Sequence, residues 1–150
     1  MEITVKTFQE LKLNELYDLL RLRAEVFVVE QDCIYQDIDG KDQKAIHVLG
    51  TSEGKLIAYT RCFSPGSYFE EAAIGRVVVS KNFRNQDFGY QIMEASIQAV
   101  EEIYKTSTIK ISAQEYLSRF YESLGFQPTG KEYLEDGIPH IEMIKKQSFS

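Results

Sequence analysis

The sequence predicts an α/β fold: one mixed, strongly twisted sheet of about six or seven strands flanked by helices. Three features carry that prediction. Residues 72–80, AAIGRVVVS, are almost unbroken apolar and β-branched, the pattern of a central strand covered on both faces. Behind them come a polar turn, a helical repeat and a second β-rich run, a unit that in one sheet implies a right-handed parallel crossover. Two pairs of short runs, 45–49 with 56–63 and the two halves of 126–146, flank turn-forming residues and read as antiparallel hairpins.

Taken in order, residues 3–8 alternate and form a first strand. Asn14 is placed to cap a helix running to about Val29, whose Leu16, Leu20, Arg23 and Phe27 share one helical face. Residues 30–44 are polar and irregular, and Ser52-Glu53-Gly54-Lys55 turns the first hairpin, whose second arm ends at Pro65 and Gly66. From Asp87 onward, Ile92, Met93, Ser96, Ile97, Val100, Ile103 and Tyr104 recur at helical spacing, followed by a strand at 108–112. Ser112-Ala113-Gln114-Glu115 has the form of a capping box; the helix it would open carries Leu117, Phe120, Tyr121 and Leu124 and stops at Gly125. Asp136-Gly137 turns the last hairpin.

The 150 residues fit one domain, 1–150, with 43% hydrophobic and 27% charged residues, the usage of an ordinary globular chain. A formal charge of −6 with no Lys/Arg cluster longer than a pair argues against a nucleic-acid partner. Cys33, Cys62, His47 and His140 show neither metal-site nor disulfide spacing, so two buried, reduced thiols are expected. Asp37-Ile38-Asp39-Gly40-Lys41-Asp42 is not a calcium loop, because its glycine comes too early and Val48 stands where a bidentate glutamate is needed. It reads as a solvated acidic loop or as an acidic rim for a cationic amine, and no metal is expected. Glu2 and Lys6 interrupt any N-terminal targeting segment, and no apolar run approaches the ~18 residues of a membrane span. A cytoplasmic location and no membrane partner are expected.

One segment joins a buried strand, a polar turn and a helix start directly: Val77-Val78-Val79, then Arg84-Asn85-Gln86-Asp87-Phe88-Gly89-Tyr90. Such a turn aims unpaired amides and the positive end of a helix dipole at one point, which suits a pyrophosphate; a plain strand-to-helix connection gives the same local pattern. The usual nucleoside-triphosphate and dinucleotide glycine motifs are absent.

This segment resembles the GNAT acetyltransferases, whose strand is followed by R/Q-x-x-G-x-G/A and a helix. Asp87 stands where that motif has its first glycine and brings a carboxylate close to the expected phosphates, unless it turns away to cap the helix. Phe120-Tyr121-Glu122-Ser123-Leu124-Gly125-Phe126 independently resembles the family's F-Y-x-x-x-G-F segment. Residues 23–35, Asp37, Asp39, Asp42, His47 and the segment 136–140 are similar to its ElaA-type subgroup.

The resemblance implies acetyl-CoA as co-substrate, lying in a slot where the strand ending at Val79 splays from the strand at 108–112. The backbone of Val77 and Val79 would bond the pantetheine arm and the amides of residues 84–90 the pyrophosphate, with the Arg84 side chain as added charge. Tyr121 would protonate the leaving thiolate. A small-molecule or peptide amine, contacted by Glu30 and His47, would lose its proton to His140, His47, Glu30 or a water chain. Arg76, inside an apolar strand, needs a partner such as Glu30. A homodimer is a family habit that no strip of this sequence singles out. The rival readings are a non-catalytic acetyl-CoA-binding or interaction module and a thioesterase-like hydrolase, the latter lacking a G-x-S-x-G elbow.

Overall fold

The computed structural model describes residues 1–146. Strand β1 (Glu2–Thr7) leads to helix α1 (Leu13–Arg23), which runs on as a π-helical segment, Ala24–Glu30. Then follow β2 (Ile46–Ser52), β3 (Lys55–Phe63), β4 (Ala72–Val79), α2 (Phe88–Tyr104), β5 (Ile109–Gln114), α3 (Ser118–Ser123), β6 (Gln127–Glu135) and β7 (Ile138–Lys145). These form one seven-stranded sheet in the order β1-β2-β3-β4-β5-β7-β6. Only β4 and β5 pair in parallel, as the crossover through α2 requires. No helix among the described residues is long and apolar enough to cross a membrane.

The two faces are covered by different helices. On one, Ile92, Met93, Ile97 and Val100 of α2 pack with Val48, Ile74, Ile109, Ile111, Phe126 and Met143. On the other, Leu19, Leu22 and Val26 pack against Leu49, Tyr59 and Val78. The buried face of α1 is thus one position away from the expected stripe, with Leu16, Leu20 and Phe27 flanking it half-buried. Lys12, not Asn14, is the N-cap, and its amide donates to Glu15 Oε1 at 2.8 Å.

Two other expectations fail for definite reasons. The capping box at Ser112 does not form: β5 pairs with β7 as far as Gln114↔His140, so Ser112 is a strand residue, and α3 starts only at Ser118 after a 3₁₀ turn. Strand pairing along β7 outweighs one local cap. The acidic segment 37–42 is not solvated. Asp37 and Asp42 are buried, and they bind Arg23, which is 0% exposed, through Nε–Oδ2 of Asp37 at 3.0 Å and Nη1–Oδ1 of Asp42 at 2.8 Å. Arg61, 1% exposed, binds Asp42 at 2.9 Å and Asp39 at 2.6 Å. Arg76 lies 2.9 Å from Asp37, so its partners are in this cluster and Glu30 is not among them. Buried guanidinium groups need carboxylates, and the loop supplies them.

The sheet opens at β4. Tyr59 pairs with Val78 but Arg61 with Gly75, so Arg76 and Val77 together face Thr60, and Arg76 has φ of 50°. A bulge of this kind bends its strand and sharpens the twist. β4 pairs with β5 only at Ala72↔Ile109 and Ala73↔Lys110; beyond those pairs the two strands separate.

Candidate active site

The separation creates a cleft of about 990 Å³. One wall is the edge of β4 from Ile74 to Val79, the other is Ile111, Ser112 and Gln114 of β5 with Phe120 and Tyr121 of α3. Sequence reasoning placed Val77, Val78, Val79, Arg84, Asn85, Asp87, Phe88, Gly89, Tyr90, Glu30, Tyr121 and His140 at one site, and all of these line the cleft. Gln86 and His47 do not line it.

At one end stands the N-terminus of α2. The first helical bond to this end is Gln91 N–H to Asp87 O at 3.1 Å, and the amides of Asp87, Phe88, Gly89 and Tyr90 donate to no described residue. Four unpaired donors at the positive end of a 17-residue helix make a site fitted to an anion. A Cβ at Gly89 would make ordinary contact with Phe120 and Val79 at 3.6–3.8 Å, so packing alone does not require glycine there.

Asp87 does not cap α2. It adopts a left-handed conformation, φ 68° and ψ 10°, and its side chain makes no capping bond. That conformation suits glycine and costs an ordinary residue roughly 1–2 kcal/mol, less for aspartate. Asp87→Gly is therefore expected to leave stability unchanged or raise it by up to about 1 kcal/mol, and, by removing a carboxylate beside the unpaired amides, to tighten binding of an anionic ligand there. Thermal melts and calorimetry check both. Weaker binding by the glycine variant would contradict this account.

Arg84 holds its own side chain in place. Its guanidinium binds both carboxylate oxygens of Glu30, one through Nη1 and the other through Nη2 at 2.8 Å, while Nε donates to Val79 O at 3.2 Å. The hydrogen bond from Arg84 holds the Glu30 carboxyl below its usual value. Glu30 thus ties the end of the π-helical segment to the turn.

Tyr121 sits in the wall near the middle. Its ring is 6% exposed, packed edge-on against Phe120 and Phe126 with centroids 5.1 Å and 6.1 Å away. Its hydroxyl bonds to no described residue and is not among the buried unpaired groups, and the residue lines the cleft. Burial, with the nearby Tyr116, raises its pKa, so the phenol keeps its proton at neutral pH.

The two histidines have different surroundings. His47 is fully buried in the ionic cluster: Nε2 donates to Asp42 O at 2.9 Å, and Nδ1 accepts from Tyr59 at 2.6 Å. Burial lowers its pKa, so it is a neutral structural residue remote from the cleft lining. His140, 7% exposed, faces the cleft; Nδ1 donates to Ile138 O at 2.7 Å and Nε2 lies 3.2 Å from Glu135 Oε2. The expectation of two buried thiols holds for Cys62, whose pKa burial pushes up to about 12. Cys33 is half-buried on the cleft, with Sγ donating to Asp136 O at 3.4 Å. Ser112, Gln114 and Glu135 were missed as site residues; for the first two, alternation with apolar Ile111 and Ala113 along β5 was the available signal, masked by the capping-box pattern, while Glu135 ends β6 beside the last turn.

A model of the acetyltransferase (GNAT) domain matches residues 7–147. The protein ElaA of Escherichia coli is 42% identical over 139 residues, spanning 91% of each chain, and its crystal structure superposes with a TM-score of 0.90 over 97% of this chain and 99% of that one. An acyl-CoA N-acyltransferase of Pseudomonas aeruginosa, 41% identical over 97% of this chain and 99% of its own, also gives 0.90. At 16% identity an aminoglycoside 6'-N-acetyltransferase complexed with coenzyme A shares the fold, with a TM-score of 0.72 over 97% and 96% of the two chains. With the family model spanning nearly the whole chain and relatives of about 40% identity, the chain belongs to the GNAT acetyltransferases.

Proposed function

We propose that this protein, acting as one domain over residues 1–150, moves an acetyl group from acetyl-CoA directly to a primary amine of a small molecule or peptide. Family and fold support acyl-CoA N-acyltransferase activity. The observation that carries the finer reading is the meeting, in one cleft, of four unpaired amides at the start of α2, an unpaired stretch of the β4 edge and a tyrosine hydroxyl with no described partner. The amides of residues 84–90 hold the pyrophosphate, and Val77 and Val79 bond the pantetheine arm as an added strand would. The short acetyl group would then lie between β4 and Tyr121. A backbone amide near Val79 steadies the oxyanion, Tyr121 gives its proton to the departing sulfur, and His140 receives the proton of the amine.

A non-catalytic module on the same fold is favoured by one observation, an exposed aspartate, Asp87, on the cleft lining at the start of α2. Calorimetry with acetyl-CoA, followed by thiol release over a panel of amines, separates the two. Acetyl-CoA at 100 times its dissociation constant is expected to add about 2.7 kcal/mol of stability. No thermal shift at millimolar acetyl-CoA would sink the transferase and the acetyl-CoA-binding module and leave only an interaction module; a shift without thiol release would favour the acetyl-CoA-binding module.

A further inference from the structure

The face of β5, β6 and β7 turned away from α2 carries a hydrogen-bonded row that ends in the cleft. Register puts Gln114 opposite His140 and His140 opposite Tyr133. Tyr133 donates to Ser112 Oγ at 2.5 Å, Ser112 donates to Glu135 Oε2 at 3.3 Å, and the same oxygen lies 3.2 Å from His140 Nε2. The Tyr133 ring stacks on the imidazole at 17° and 6.2 Å. His140 is nearly buried, while the Glu135 side chain is 45% exposed. An imidazole on the cleft wall is therefore connected to solvent through one carboxylate.

Resting on the transferase reading above, we propose that Glu135 is a positioning residue for His140, fixing Nε2 as the proton acceptor for the amine and giving the proton a way out. The tautomer follows from geometry. Nδ1 is committed as a donor to the Ile138 carbonyl in either charge state, so Nε2 is the nitrogen that loses and regains its proton, and its 3.2 Å contact with Glu135 is the donor contact of the protonated ring. Once Nε2 is protonated, it becomes a donor to Glu135, whose second oxygen is free to meet the incoming ammonium. Ser112 and Tyr133 hold the carboxylate in that orientation.

The proton count closes. The ammonium gives one proton to Nε2, and the freed lone pair forms the C–N bond as the C–S bond breaks. The sulfur takes the Tyr121 proton, and the second proton on the new amide nitrogen restores that phenol. The proton on His140 leaves past Glu135, so each turnover releases one proton to solvent.

The other charged and titratable groups around the imidazole are already engaged or lie at a distance along the sheet. Lys110 on β5 pairs with Glu71 at 3.1 Å and Glu142 of β7 at 3.8 Å. Tyr35 across the cleft donates to Asp37 at 2.9 Å, and the thiol of Cys33 is held by the carbonyl of Asp136, the acidic residue of the β6–β7 turn. Glu135 is the only carboxylate within ion-pair distance of His140 among the described residues.

The test uses the full chain with acetyl-CoA and a panel of n-butylamine, 1,4-diaminobutane and a lysine peptide, reading kcat/KM against pH. His140→Gln is expected to lower kcat/KM by roughly 10²-fold and to remove the acid limb. Glu135→Gln should move that limb to lower pH, because the imidazolium loses its counter-charge. The sequence has only two histidines, so nitrogen-15 histidine spectra follow the same event without turnover. Neutral His140 should carry its proton on Nδ1 and neutral His47 on Nε2, and the His140 midpoint should fall in Glu135→Gln. Ser112→Ala should give a smaller shift of the same sign. An unmoved limb and midpoint in Glu135→Gln, or a uniform loss at every pH, would overturn the dyad and leave the transferase standing. No thiol release by the wild type with any of the three amines would overturn the transferase reading and this role with it.

Discussion

Tyr121→Phe is expected to lower kcat by roughly 10²–10⁴-fold while leaving acetyl-CoA binding nearly unchanged. The basis is a separation of functions within one side chain. Its ring packs against Phe120 and Phe126, contacts that phenylalanine keeps. Its hydroxyl has no described hydrogen-bond partner, so its removal leaves no orphaned group and should cost well under the ~1 kcal/mol of an ordinary hydrogen bond. What disappears is the proton delivered to a thiolate that is costly to expel unprotonated. Steady-state rates at saturating acetyl-CoA and amine, with calorimetry on the same variant, measure the two effects apart. A turnover number equal to wild type in a folded variant would remove Tyr121 from the mechanism.

The largest effect on stability is expected at Arg23. Arg23→Met should lower the unfolding free energy by about 3–5 kcal/mol, because it takes one charged partner from each of two buried carboxylates, leaving Asp37 to Arg76 and Asp42 to Arg61. Asp37 and Asp42 would each lose a bond of 2.8–3.0 Å in a place where water cannot replace it. By contrast, Arg84→Met breaks a pair whose side chains are 36% and 31% exposed, and about 0–1 kcal/mol is expected there. Urea titrations of both variants give the comparison. A loss at Arg23 no larger than at Arg84 would show that the buried cluster relaxes freely.

The same cluster sets the acid stability. Burial would raise the pKa of Asp39 and Asp42, but bonds from Arg61 to the first, and from Arg23 and Arg61 to the second, outweigh it and hold both low. The unfolded chain therefore takes up more protons as pH falls past about 3.9. The stabilisation is complete above that value and lost as pH falls towards the folded-state values. His47, lowered by burial, adds a loss that begins as pH drops below about 6.5. Urea midpoints should decline gently from pH 7 to 4 and steeply below, and Arg23→Met should flatten the steep part.

Much of the strand and helix order was legible because periodicity and turn chemistry agreed, as at Glu53-Gly54 and Asp136-Gly137, where every residue has positive φ. The strand, turn and helix start at one end of the cleft were legible too, since they are local in sequence. What escaped was pairing at long range. Arg23 stood in an apolar helical stripe and Arg61 in an apolar strand, each a buried charge asking for a carboxylate. Three aspartates waited in the loop at 37–42, yet only the fold brings them within 3 Å or so. The bulge at Arg76 had one local hint, Gly75 inside a strand pattern. His140 was found by residue type, but its partner Glu135 was not, because it lies across a hairpin whose register sequence alone does not fix.

The hold of Glu30 on Arg84 changes what cofactor affinity means in this protein. A phosphate arriving at the turn meets a guanidinium whose two terminal nitrogens already face a carboxylate and whose Nε faces the Val79 carbonyl. Recruiting that side chain is an exchange of one anion for another, so the gain is the difference between two bidentate bonds and is smaller than either. The amides of α2 carry no such competitor. Capture of a phosphate there would therefore fall chiefly to the backbone, and Arg84 would add to it only as far as it gives up Glu30.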